Sequence, residues 1–164
     1  MNSRDIQYGF IGVIHSEHTI AEKTPIQPVY AKECKGYVEV HAEFAEGLKD
    51  LAGFSHIYLI YHFHQCKQVK LTVKPFLQDV DRGIFSTRAP FRPNPIGLSV
   101  VELKKIEGNI LHIEGLDTLD GTPLLDIKPC TVKFDRHDIK KNGWQDEVDE
   151  PTAHRRGKRG YSRS

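Results

Sequence analysis

The stretch from Ser55 to His64, SHIYLIYHFH, decides the fold. It is dense in aromatic and β-branched residues and largely apolar on both faces, which is the composition of a strand. Upstream, Phe44 to Leu51 reads as a short helix with Phe44, Leu48 and Leu51 on one side, stopped by Gly53. Tyr37 to Glu43 alternates as a strand. Ser16 to Pro28 is a polar loop, and Gln7 to His15 is a first strand with Gly9 and Gly12 as bend points. Downstream, Lys70 to Pro75 is a strand closed by proline. Gly97 to Lys105 and Asn109 to Gly115 are strands joined at Glu107-Gly108-Asn109. Leu124 to Phe134 is a last strand, interrupted at Pro129. Many short strands, glycine and proline turns and one weak helix indicate a mainly β barrel. There is no internal repeat and no βαβ rhythm.

The chain has 164 residues, enough for one domain with a real core or one domain plus a tail. Its hydrophobic content of 38% is below the globular average but outside the disordered range. The net charge of +1 hides an uneven distribution. Asp146, Glu147, Asp149 and Glu150 form an acidic patch, and Arg155, Arg156, Lys158, Arg159 and Arg163 follow as a basic tail. With Gly157, Gly160 and no apolar periodicity, that tail reads as mobile. Cys34, Cys66 and Cys130 are an odd, sparse set, so a disulfide framework is excluded and a reducing compartment expected. Neither a signal-type apolar core nor a membrane-length apolar run is present. A soluble cytoplasmic protein is the expectation.

The stretch Arg82 to Val101, RGIFSTRAPFRPNPIGLSVV, holds Pro90, Pro93 and Pro95 within six residues. Each proline fixes its own φ and pushes the residue before it toward extended geometry, so this backbone has little freedom to lose. It is also too poor in N–H donors for a central strand. Arg88 and Arg92 give it two forked guanidiniums, with Asn94 and Ser99 close by. Two readings fit: a preorganised site for an anionic or polar ligand, or a rigid crossover whose arginines pair with nearby carboxylates.

Other clusters are less specific. His56, His62 and His64 share one strand face, and His62-x-His64-x-Cys66 has a metal-ligand look. Two ligands on one strand still need partners elsewhere, and no metal is expected. In Asp117-Thr118-Leu119-Asp120-Gly121-Thr122-Pro123, Asp120-Gly121 is an ordinary turn pair. Two carboxylates three apart can also hold a ribose diol or an ammonium group. No G-x-G-x-x-G follows a strand, and there is no P-loop, G-x-S-x-G or HExxH. Rossmann nucleotide sites, P-loop hydrolysis and a serine triad therefore find no support.

FSTRAPFRPNPIGLSVVEL, followed by LDTLDGTPLLDIKP, closely resembles the signature of the TsaA-like (TrmO) family of tRNA methyltransferases. IGVIHS and GFSHIYLIYHFHQ extend the resemblance from Gln7 to Pro129. It implies a single-sheeted closed β-barrel over residues 1–136, with a short helix, and a C-terminal extension over 137–164 with a flexible tail. It also implies S-adenosyl-L-methionine as cofactor, a homodimer, and methylation at N6 of N6-threonylcarbamoyladenosine beside the tRNA anticodon. The implied cofactor contacts are Pro25, Ile26, Gln27, His64, Gln65, Arg88, Leu98, Asp117, Thr118, Leu119 and Asp120. Arg92 and Asn94 are candidates for the substrate, and no catalytic base is assigned. Cys130 stands where relatives often carry an aromatic residue.

The chemistry agrees with these residues. Methyl transfer from a sulfonium needs alignment more than acid–base groups. Arg88 can take a carboxylate, Asp117 or Asp120 a diol or ammonium, and Leu98 and Pro25 can cover an adenine. Arg88 and Asp120 should then share one cavity. Lys67, Lys70, Lys74, Arg82, Arg92, Lys104, Lys105 and the tail supply positive charge for tRNA, without forming one stripe. Three other readings compete: a methyltransferase with another acceptor, a barrel that binds S-adenosylmethionine or RNA without turnover, and a zinc protein.

Overall fold

The computed structural model describes residues 4–159. Among these, six strands close into one antiparallel barrel in the order β1-β2-β7-β6-β3-β8: β1 (Gly12–Ser16), β2 (Lys35–Val40), β3 (His56–His62), β6 (Ile96–Glu107), β7 (Ile110–Glu114) and β8 (Thr122–Cys130). A small separate ribbon pairs β4 (Thr72–Val73) with β5 (Arg82–Gly83). Closure leaves little free sheet edge to invite pairing with other chains. The barrel's interior follows from period-2 alternation. Ile57, Leu59 and Tyr61 of β3 point inward and meet Ile14, Val38, Val40, Val101, Leu103, Leu111, Ile113 and Leu124. The mainly β, closed-barrel expectation holds.

Several boundaries differ from the expected ones, for identifiable reasons. β1 starts at Gly12 rather than Gln7. Ile6, Tyr8 and Phe10 before it are exposed, so alternation there served no buried face. β2 ends at Val40, and the chain then turns through a 3-10 segment, Ala42–Leu48, where a helix was expected from 44 to 51. Asp50 in the left-handed region (φ 66°) separates this from a second 3-10 turn, Leu51–Gly53. Leu48 and Leu51 pack on the core and Phe44 stays outside. β8 runs unbroken through Pro129. It pairs with β1 only over Thr122–Leu124, so its far half has an open edge where a proline nitrogen leaves no ladder bond unmade.

Part of the C-terminal extension is helical, including the start of the basic tail. After α1 (Val132–Asp135) come a 3-10 turn, Gly143–Glu147, and α2 (Glu150–Gly157). Asp149 caps α2, its carboxylate accepting from Thr152 N at 2.8 Å, and Pro151 sits in the first turn, where its missing N–H is harmless. Arg155 and Arg156 are therefore helical, and Arg156 forms a forked pair with Asp79 at 3.0 and 3.2 Å. Gly160 and Arg163 lie outside the described residues. No helix among the described residues is long and apolar enough to cross a membrane.

Candidate functional site

Three loops meet at one mouth of the barrel: the segment after β1, the proline-rich stretch before β6, and the Asp117 loop between β7 and β8. The proline-rich stretch is fixed from both sides. Phe63 N donates to Pro95 O at 2.8 Å and Lys70 N to Phe91 O at 2.9 Å. Arg92 stiffens it from within, its Nη1 donating to the carbonyls of Ile84, Thr87 and Ala89 at 3.1, 2.7 and 3.4 Å. This guanidinium also lies 5.7 Å from the Phe85 ring. Arg92 is thus a scaffold for the loop that presents Arg88. Arg88 itself is exposed, and its Nη1 donates to Gln27 Oε1 at 2.5 Å.

Beneath Arg88 a buried polar chain enters the barrel. Tyr61 Oη and Ser99 Oγ are 2.9 Å apart, and Ser99 Oγ donates to Asp117 Oδ1 at 2.6 Å. All three are buried, at 4%, 1% and 7% exposure, so the charged form of Asp117 is costly. Burial pushes the Asp117 carboxyl up to about 7; the Ser99 hydrogen bond, its own backbone amide and the Arg88 charge pull the other way. The Tyr61 phenol is raised well above its ordinary value, first by burial and then by the Asp117 charge, with Ser99 and Arg88 opposing. Arg88 therefore acts on both groups. Beside them, Thr118 is 4% exposed and its Oγ1 has no hydrogen-bond partner among the described residues. A buried hydroxyl in that state costs free energy that a bound polar ligand would recover.

The other expected contacts divide. Pro25 is fully buried, and Ile26 is anchored by its N–H to Gly157 O at 3.0 Å, so both frame Gln27. Leu119 turns its carbonyl to Thr122 Oγ1 at 2.6 Å. Asp120 does not join Arg88: its Oδ1 accepts from Ser16 N at 3.0 Å and stands 3.5 Å from His15 Nδ1. It lines a separate groove with His15, Ser16, Lys35, Gly36 and Tyr37. Asp117, not Asp120, is the carboxyl on which the Arg88 charge acts. Leu98 lies on the outer face of β6, opposite Ser99, with 43% exposure. His64 and Gln65 follow β3; burial and the neighbouring His62 and Lys67 hold the His64 imidazole below its ordinary value. Asn94 is exposed, its carbonyl accepting from Ile96 N at 2.8 Å. Sequence reading missed Tyr61, and noted Ser99 only as a neighbour of the arginines. The signal was available: inward positions of β3 and β6 carrying a hydroxyl among aliphatic neighbours.

The donor set fits S-adenosyl-L-methionine, which carries a carboxylate, an ammonium, a ribose diol and an adenine. An exposed guanidinium, a carboxyl poised near neutrality and an unsatisfied hydroxyl suit three of the four.

Comparison with known proteins gives the same direction. Residues 13–136 match the family model described as the tRNA-methyltransferase O N-terminal domain. A probable S-adenosyl-L-methionine-binding protein of Pyrococcus abyssi is 53% identical over 139 residues, 85% of this chain and 76% of that one. The tRNA (adenine(37)-N6)-methyltransferase of Escherichia coli is 38% identical over 133 residues, 75% of this chain and 57% of the enzyme. A crystal structure of TrmO superposes with a TM-score of 0.73 at 38% identity, covering 85% of this chain and 64% of the other. The chain thus spans a little under two thirds of that solved chain and just over half of the Escherichia coli enzyme.

Proposed function

The chain belongs to the tRNA-methyltransferase O N-terminal domain family, and from that membership we propose that it methylates N6 of tRNA adenosine 37, the position in its relatives' names. S-adenosyl-L-methionine is the methyl donor, and N6-threonylcarbamoyladenosine is the form of the base accepted. The bound sulfonium supplies the methyl group. What this chain contributes is grip and alignment. Arg88, oriented by Gln27, holds a carboxylate. Asp117, oriented by Ser99, ionises to meet an ammonium or accepts from a ribose diol. Thr118 Oγ1 gains the partner it lacks. Pro25 and Ile26 fix the wall on the Gln27 side, with Leu119 and Asp120 shaping the far end of the Asp117 loop. His64 and Gln65 close β3 toward the substrate. No residue is assigned as a base.

The observation that carries this reading is a buried Asp117 that feels the Arg88 charge and is followed in the chain by an unsatisfied Thr118 hydroxyl. Outward-facing Ile96 and Leu98, 42% and 43% exposed, offer an apolar edge for the homodimer we infer with it. A cytoplasmic location follows from a tRNA substrate. The test is incubation with S-adenosylmethionine and tRNA carrying the threonylcarbamoyl mark, followed by mass analysis of nucleosides. A single methyl on the marked nucleoside supports the proposal; methyl on another nucleoside removes the acceptor assignment. A second reading, binding without turnover, is favoured by the binding-only names of the archaeal relatives, and saturable binding with no methyl product would select it.

A further inference from the structure

The loop carrying Gln27 and the loop carrying Arg88 are both held by the C-terminal segment. On the first loop, Gly157 O accepts from Ile26 N at 3.0 Å, one residue from Gln27. Gly157 also lies flat against the Tyr30 ring: a Cβ there would stand 2.5 Å from it. On the second loop, Trp144 Nε1 donates to Ser86 O at 2.8 Å, two residues from Arg88. Glu147 Oε2 accepts from Gln78 Nε2 at 2.8 Å and Arg82 Nη2 at 2.9 Å, and Arg156 forks onto Asp79. The Arg159 guanidinium lies 3.9 Å from the Phe76 ring. Residues 144–159 therefore tie together two loops 61 positions apart, whose direct link at the site is the Arg88–Gln27 hydrogen bond.

We propose that the C-terminal segment is a positioning element: docking of Trp144 and Gly157 sets the Arg88–Gln27 geometry and, through it, the affinity for S-adenosyl-L-methionine. The proposal rests on the site assigned above. An exposed Arg–Gln pair in water has little energy with which to fix itself. Its definition comes from backbones pinned on either side, which lowers the ordering cost of binding. Tyr30, half-buried and packed on Gly157, is the contact most sensitive to the fit, because a glycine is the only residue that lets the ring lie on the helix backbone.

The experiment uses the full chain. Gly157→Ala adds a methyl toward Tyr30 while favouring the helix itself, so a loss of affinity cannot come from helix melting. Isothermal titration with S-adenosylmethionine should show about tenfold weaker binding, with the thermal midpoint of the barrel kept. Tyr30→Ala combined with Gly157→Ala should recover most of the loss by making room. Trp144→Phe, which removes the indole N–H together with part of the ring, should weaken binding in the same direction. In turnover, KM for the donor should rise with kcat unchanged. If the unaltered chain binds the donor and Gly157→Ala and Trp144→Phe bind it equally well, positioning is overturned while the site stands. If the unaltered chain does not bind it, the site assignment fails and the proposal with it.

Discussion

Ser99 Oγ donates to Asp117 Oδ1 at 2.6 Å inside the barrel mouth, and this one contact holds a carboxyl where water cannot solvate it. Burial lifts that carboxyl from 3.8 to about 7. The folded chain therefore keeps a proton that the unfolded chain has already released. The stabilising contribution is complete below pH 3.8 and is lost as pH rises through about 7. A shift of this size corresponds to at most about 4 kcal/mol. Asp117→Asn should flatten the pH dependence of denaturant midpoints between pH 4 and 8, and at pH 8 should be the more stable protein. Parallel curves for the two proteins would show that Asp117 does not titrate in this range.

Arg92 gives a sharper distinction between scaffold and ligand contact. Its Nη1 spans three backbone carbonyls that an ammonium cannot bridge in the same geometry. Arg92→Lys should cost roughly 1–3 kcal/mol and increase amide exchange over residues 84–89. If stability and exchange are unchanged while tRNA binding falls, Arg92 is a substrate contact instead.

Gly97 tests the packing behind the polar chain. A Cβ at this position would stand closer than any normal contact to the Tyr61 ring and 2.9 Å from Phe63. Gly97→Ala should destabilise the fold by about 1–3 kcal/mol and disturb the Tyr61–Ser99 contact, read by equilibrium unfolding and by tyrosine absorbance. A neutral substitution would mean that the Tyr61 ring moves aside freely.

Much of the fold was legible because β-branched and aromatic runs such as SHIYLIYHFH mark strands; that Ile57, Leu59 and Tyr61 alternate with half-buried neighbours was not, since the stretch reads as apolar on both faces. The ends were less legible. Gln7 to Ile11 carry strand-forming residues but only one, Ile11, packs on the core. The C-terminal helix was hidden behind charge, although Asp149-Glu150-Pro151 is a helix start in physical terms. At the site, Arg88 and Gln27 could be named from sequence, but their direct hydrogen bond could not. Asp117 and Asp120 were indistinguishable as letters. Only the chain direction after Leu116 decides that the first turns into the barrel and the second toward Ser16. Tyr61 and Ser99 looked like core positions, and they are; their hydroxyls meet because β3 and β6 are neighbours in the barrel.

The most direct measurement is calorimetric titration of S-adenosyl-L-methionine into the unaltered protein and into Arg88→Ala. Arg88 is exposed, so its truncation should leave the thermal midpoint nearly unchanged. The account predicts saturable binding to the unaltered chain and affinity at least about tenfold weaker in the variant. Equal affinity in the two proteins would contradict it.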